Sequence, residues 1–239
     1  MNMNPTTKRH FHEELDDLQE LLLTMAGKAE QAVARAVKAV EEGDAEAAAE
    51  LRAGDEEVDE LETQVDERVQ QLLALHQPVA TDLRLVLTVL KVSNDVERVA
   101  DHAVNIARAV KRMRKSPPPP ELRELGEMGE IAREMLADAL AAFVARDPAS
   151  ARRVRRTDDK VDSLRKSLFR IMVTYMLEDP RNIGGGLEVL LISQNLERIA
   201  DLATNIAEDV VFLAEGRAGI RNLKNWADHD VEGSPSEEG

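Results

Sequence analysis

The eleven residues Glu97 to Ala107, ERVADHAVNIA, return as Glu197 to Ala207, ERIADLATNIA, at a constant offset of 197 − 97 = 100. A second set extends the correspondence upstream. Met25, Ala29, Ala36, Ala39, Asp44, Arg52, Asp55, Val58, Asp59 and Leu61 are matched by Met128, Ala132, Ala139, Ala142, Asp147, Arg155, Asp158, Val161, Asp162 and Leu164, all at 128 − 25 = 103. The fall in offset places a net three-residue difference between Leu61 and Glu97, most simply at the turn around Pro78 and Pro180. Each unit is therefore roughly a hundred residues, too long for a short-period solenoid repeat and about the size of a domain. The chain reads as two homologous domains in tandem.

The class of fold follows from what fills the repeats. Hydrophobic residues make up 43% and charged residues 32% of the 239, which suits a folded chain with ordinary cores. Aromatic residues are only 3%, so the cores must be built from Ala, Leu, Val and Ile, small enough for helices to approach closely. Leu15, Leu18, Leu22, Met25, Ala29, Ala32, Val33, Ala36, Val37 and Val40 keep three-and-four spacing and predict a helix from Arg9 to Glu42. Gly43 ends it, and Asp44 is expected to cap a second helix reaching His76, with Leu51, Val58, Leu61, Val65, Val69, Leu72 and Leu73 on its apolar stripe. Pro78 suits the first turn of a third helix, predicted to reach Lys115.

Ser116 and the run Pro117 to Pro120 cannot continue a helix and predict a stiff connector at the domain boundary. The plan then repeats: a helix from Glu121 to Arg146, an Asp147 cap with Pro148 at the first helical position, and a helix to Leu177. A flexible turn bearing Gly184, Gly185 and Gly186 follows, then a last helix from Leu187 to Glu215. The expectation is all-α: two tandem three-helix bundles, six long antiparallel helices, over residues 1–115 and 121–216. Residues 217–239 lose the periodicity and read as an acidic flexible tail, in which Trp226, with Leu223 and Ile220, is expected to anchor the segment by packing on the bundle ahead of meeting a partner.

Charge and composition exclude several functions. A net charge of −15 repels a phosphate backbone and disfavours nucleic-acid binding. The absence of cysteine removes disulfides, thiolate zinc sites and ordinary iron–sulfur clusters, so any metal must be held by oxygen or imidazole. The N-terminal MNMNPTTKRHFHEEL lacks the apolar stretch of a signal peptide, and the run Leu83 to Val92 is interrupted by Arg84 and Lys91 and too short to span a bilayer. A soluble cytoplasmic protein is expected.

The duplicated motifs are acidic. Glu97 and Asp101 lie four residues apart, which on a helix separates two carboxylates by about 6 Å along the axis and only about 40° of rotation. Glu197 and Asp201 repeat the pair, and a second ladder, Asp55 with Asp59, returns as Asp158 with Asp162. Such pairs are most often solvated faces. Yet like charges at this spacing destabilise a helix by roughly 0.2–0.5 kcal/mol each, and here they recur at matching positions of two diverged halves. Second and third helices are neighbours in a three-helix bundle, so each repeat can gather four carboxylates into one patch. Arg98 and Arg198 are placed to offset part of that charge. Oxygen donors with an amide nearby (Asn105, Asn205) suit a hard cation such as Mg²⁺, Mn²⁺, Ca²⁺ or iron.

With ERVAD and ERIAD each followed after three residues by NIA, QPVATDLR at Gln77 to Arg84, the DxxVD pairs at Asp55 and Asp158, and RxFxxEL at Arg9 to Leu15, the chain resembles the PhoU family up to about residue 216. In the second half DPRNIGGGLEV stands where QPVATDLR would fall. The resemblance implies paired three-helix bundles whose E(D)xxxD motifs bind multinuclear iron or zinc clusters on the surface. The ligands would be Asp55, Asp59, Glu97, Asp101, Asp158, Asp162, Glu197 and Asp201. It also implies regulation without turnover: repression of the phosphate-starvation (Pho) regulon and restraint of phosphate uptake. The partners would be the phosphate ABC transporter ATPase, PstB, and the sensor histidine kinase, PhoR. A homodimer meeting the membrane only through those partners is expected.

Two other readings compete. A metal-free adaptor would press its ladders against basic partner residues. A ferritin-like di-metal enzyme would need Glu-x-x-His motifs facing inward, and none of His10, His12, His76, His102 or His229 has Glu three residues before it. No serine has an activating context for nucleophilic catalysis. His102 is expected on the polar face, solvated or meeting a partner, and the basic run Lys111 to Lys115 to complement the dipole at its helix C-terminus.

Overall fold

A computed structural model describes residues 5–117, 119–120 and 123–216. It holds α1 (Pro5–Glu42), α2 (Ala47–His76), α3 (Ala80–Met113), α4 (Arg123–Ala145), α5 (Pro148–Glu178), a 3₁₀ turn (Pro180–Asn182) and α6 (Ile183–Glu215), with no strand among the described residues. Within each repeat the three helices pack on one another, α1–α2–α3 and α4–α5–α6. The expected tail, with Trp226, lies outside the described residues.

Burial follows the predicted stripes. Leu15, Leu18, Leu22, Met25, Ala29, Val33 and Ala36 of α1 are buried, as are Leu51, Val58, Val65, Val69 and Leu72 of α2. The third helix of each repeat is apolar over a wider arc. In α3 buried positions come in adjacent couples, Val92–Ser93, Val99–Ala100, Ala103–Val104, Ile106–Ala107, and α6 repeats this with Ile192–Ser193, Ile199–Ala200 and Ala203–Thr204. A stripe that wide faces two neighbours at once. Accordingly α3 packs against α6 and α1 against α4, and a single buried cluster draws on all six helices. The two repeats share a core.

Ion pairs and hydrogen bonds brace the seam between the repeats. Lys91 donates to Asp209 Oδ1 at 2.8 Å near one end. Arg112 grips both oxygens of Glu188 at 2.8 and 2.9 Å near the other, so part of the basic run bonds across the repeats as well as facing the helix terminus. Midway, His102 Nδ1 donates to Asn195 Oδ1 at 2.9 Å while Asn195 Nδ2 donates to Leu191 O. His102 is thus half-buried and committed to the repeat interface, not to the solvated or partner-facing surface expected of it. The α6 residues that cover it belong to the other repeat.

Three other sequence expectations are corrected. Asp44 accepts from Glu46 N at 2.9 Å and from Arg35 Nη2 at 2.6 Å, but α2 begins only at Ala47, so Asp44 closes the turn ahead of the helix instead of capping it. Its counterpart Asp147 does cap α5, accepting from Ala149 N at 2.9 Å with Pro148 in the first turn. Pro78 precedes α3, whose N-cap is Val79. The three glycines are the largest departure. They lie inside α6, and Gly185 and Gly186 are buried. A Cβ at Gly184 would stand 2.7 Å from Ser116 Oγ, at Gly185 3.2 Å from the Pro117 carbonyl oxygen, and at Gly186 2.7 Å from Met176 Cγ. Helical glycine costs about 1 kcal/mol against alanine; here it lets the inter-repeat connector cross the start of α6 in direct contact. Among the described residues no helix is long and apolar enough to cross a membrane.

Candidate functional site

The α2/α3 groove and its counterpart at α5/α6 carry the acidic ladders. In the first repeat Asp55 and Asp59 of α2 meet Glu97 and Asp101 of α3 closely enough for their charges to act on one another. Asp55 and Glu97 are half-buried, Asp59 and Asp101 exposed. Burial first, then the charges of Asp101 and Asp59, push the Asp55 carboxyl up to about 6 against the pull of Arg108. Glu97 is pushed up to about 7, by burial and then by Asp101, Glu62, Asp59 and Asp55, with no cation opposing. Near neutrality such a group is caught between carrying a proton and finding a counter-cation.

Two further residues belong to this patch. Glu62, one turn beyond Asp59, is raised by burial and by Asp66 and Asp59. Asp66, one turn further, has its Oδ1 buried with no hydrogen-bond partner. Among the described residues none of Asp55, Asp59, Glu62, Asp66, Glu97 or Asp101 forms an ion pair. Arg98, placed by sequence to neutralise Glu97 and Asp101, turns instead to Asp95 at 3.6 Å.

The second cluster has the same four carboxylates in a different setting. Arg155 lies 3.7 Å from Asp158, Lys166 3.9 Å from Asp162, Arg165 3.0 Å from Glu197 and Arg198 3.4 Å from Asp201. Each carboxylate has a cation of its own. Burial and Asp201 still raise Asp158 to about 6. Glu197 and Asp201 are raised by burial, but for each the next influence is an arginine pulling down, Arg165 on Glu197 and Arg198 on Asp201. Arg98, Arg155 and Arg198 line one shallow cleft beside this cluster with Asp201 and Glu208.

The donor set offers a metal only carboxylate and amide oxygen, with no imidazole in either patch. That chemistry fits hard cations, iron among them, better than soft ones. The first cluster fits on charge as well, through carboxylates that form no ion pair among the described residues and the orphaned Asp66 oxygen. As the side chains stand, no three acidic or histidine groups among the described residues are gathered to hold an ion.

A profile of the PhoU domain matches residues 22–110 and again 125–210, once in each repeat. The chain belongs to the PhoU family. Its curated PhoU-family relatives include the phosphate-specific transport system accessory protein PhoU homolog of Zymomonas mobilis, 39% identical over 88% of this chain and 89% of that one. The homolog of Pseudomonas aeruginosa is 37% identical over 93% of this chain and 94% of that one. Among PhoU crystal structures, that from Pseudomonas aeruginosa superposes with a TM-score of 0.84 at 36% identity, covering 87% of this chain and all of that one. The phosphate transport system regulatory protein PhoU from Streptococcus pneumoniae superposes with a TM-score of 0.81 at 28% identity, covering 87% of this chain and 99% of that one.

The eight motif carboxylates lie along the two grooves, four to each, and their surroundings include residues that the motifs do not name. Glu62, Asp66 and Arg165 lie outside the motifs. The signal was present: at the offset of 165 − 62 = 103, Glu62 aligns with Arg165 and Asp66 with Phe169.

Proposed function

We propose that this PhoU-family protein is a regulatory accessory of phosphate transport that works by docking, with no reaction of its own. In phosphate sufficiency it represses the phosphate-starvation regulon and restrains uptake. It does so from the cytoplasmic side by linking the ATPase of the phosphate transporter, PstB, to the sensor histidine kinase, PhoR. Family membership over both repeats supports the transport role. The observation that carries the mode of action is the unpaired carboxylate patch on the outer α2/α3 groove, next to a core that locks all six helices into one body. A rigid body shifts a partner's equilibrium only by binding its two states unequally. A charged groove is a means of doing so.

In this reading Asp55, Asp59, Glu97 and Asp101, with Asp158, Asp162, Glu197 and Asp201 as their repeats, are the candidate metal ligands, and iron fits their oxygen donors better than zinc does. A bound cation would turn a repelling patch into a bridge for acidic or polar partner groups. The competing reading, a metal-free adaptor, is favoured by the lack of a preassembled ligand set among the described residues. Elemental analysis of protein purified without chelator separates them: stoichiometric metal, reduced in Glu97→Ala with Asp101→Ala, supports the metal reading, and a metal-free wild type supports the adaptor. For the cellular role, deletion should leave starvation genes expressed in high phosphate. Unchanged repression would overturn the regulatory assignment. Co-purification with the ATPase and the kinase, with and without the acidic substitutions, tests the partners.

A further inference from the structure

The two clusters descend from one ancestral unit, yet their charge balance has diverged. In the first, Asp55, Asp59, Glu62, Asp66, Glu97 and Asp101 form no ion pair among the described residues. In the second, each of the four has a basic side chain within 4 Å. The repeat alignment traces the difference to particular exchanges. Glu62 has become Arg165, which lies against Glu197, and Thr63 has become Lys166, which faces Asp162. Asp66, whose Oδ1 is orphaned, has become Phe169, so the second groove lacks that donor too.

A third exchange acts at a distance. Arg98 and Arg198 are equivalent at the offset of 100, but Arg98 is drawn to Asp95, whose counterpart is Asn195. With no carboxylate at 195, Arg198 is left to swing to Asp201. Asn195 meanwhile bonds His102 across the seam. The same residue that braces the repeats thereby frees an arginine for the second cluster.

We infer that the two grooves of this chain are functionally unequal: the Arg165 guanidinium is the resident cation of the α5/α6 cluster, which takes no metal, and the α2/α3 cluster alone accepts exogenous cations. The inference rests on the metal reading above for Asp55, Asp59, Glu97 and Asp101, and removes Asp158, Asp162, Glu197 and Asp201 from the ligand set because each already has a basic partner. A guanidinium held by a carboxylate competes directly with a metal for the same oxygens, and displacing it exposes two like charges at once. One groove then carries the cation-dependent contact, while the other presents a fixed, metal-independent surface of alternating sign.

Mn²⁺ titration of the stripped full-length protein, followed by the electron paramagnetic resonance signal of the free ion, reads stoichiometry without any activity. Wild type is expected to bind at the first cluster alone. Glu97→Gln with Asp101→Asn should weaken binding by more than ~10-fold, while Glu197→Gln with Asp201→Asn should leave it unchanged. The reciprocal exchanges are the decisive arm. Glu62→Arg should abolish binding, and Arg165→Glu should add a second class of site; circular dichroism verifies that each folds, and Arg165→Gln replaces Arg165→Glu where the added charge prevents folding. Equal loss from the two double substitutions, or no new site on removing Arg165, would overturn the inference while leaving metal binding intact. No Mn²⁺ bound by wild type or by any Arg165 variant would overturn the metal reading itself.

Discussion

Replacing Asp95 with asparagine should stabilise this protein at neutral pH. Asp95 sits on α3 at the seam with α6, its side chain only 14% exposed. Burial first and then the charge of Asp209 push its carboxyl from 3.8 to about 6, despite Arg98 and Lys91. At about 1.4 kcal/mol per tenfold change in proton affinity, that displacement corresponds to roughly 3 kcal/mol of strain in the ionised form. Solvent reaching the side chain screens part of it, leaving ~1–2 kcal/mol. The folded carboxyl holds its proton more tightly than the unfolded one, so its contribution to stability is fully present below the unfolded value near 3.8 and is lost as pH rises through about 6. Asparagine mimics the protonated form at every pH. Its advantage should therefore be largest above pH 7 and shrink as the pH falls through that window. Urea denaturation at about pH 7.5 and about pH 5 should show the midpoint raised with an unchanged slope, more at the higher pH. The melting temperature should rise by ~3–6 °C near neutrality. A less stable variant at pH 7.5, or an identical gain at both pH values, would show that the Arg98 and Lys91 pairings outweigh burial and refute the reasoning.

Other perturbations probe the remaining layers. Gly185→Val should destabilise by ~1–3 kcal/mol in thermal melts because its Cβ would press on the Pro117 carbonyl, whereas Gly27→Ala in α1, with nothing within 4 Å, should stabilise by ~0.5–1 kcal/mol. Leu196→Ala, at a position 1% exposed in the shared core, should cost ~2–5 kcal/mol in urea midpoint and reduce protease resistance of both repeats together. If the first cluster holds a cation, Mn²⁺ at 100 times its Kd should stabilise wild type by ~2.7 kcal/mol, and chelator should reverse this; the gain should vanish in Glu97→Gln with Asp101→Asn, as read by differential scanning calorimetry.

Much of this architecture was written in local pattern. Helix count, the pairing of repeats, the apolar stripes and the Asp147 cap all follow from interactions between residues a turn or two apart, which sequence spacing encodes directly. The acidic ladders were legible for the same reason: i and i+4 must share a helix face, and neighbouring helices in a three-helix bundle must bring two such faces to one groove. What spacing does not encode is the partner of a long side chain. The fates of Arg98 and Arg198, identical in their motifs, were decided by Asp95 and Asn195 and by the contact across α3 and α6. Likewise the three glycines read as a turn because their reason for being small, a connector laid over α6, comes from elsewhere in the chain. The repeats share their backbone plan because it is local. Their electrostatics differ because charge balance depends on which distant side chains the tertiary fold brings within a few ångströms.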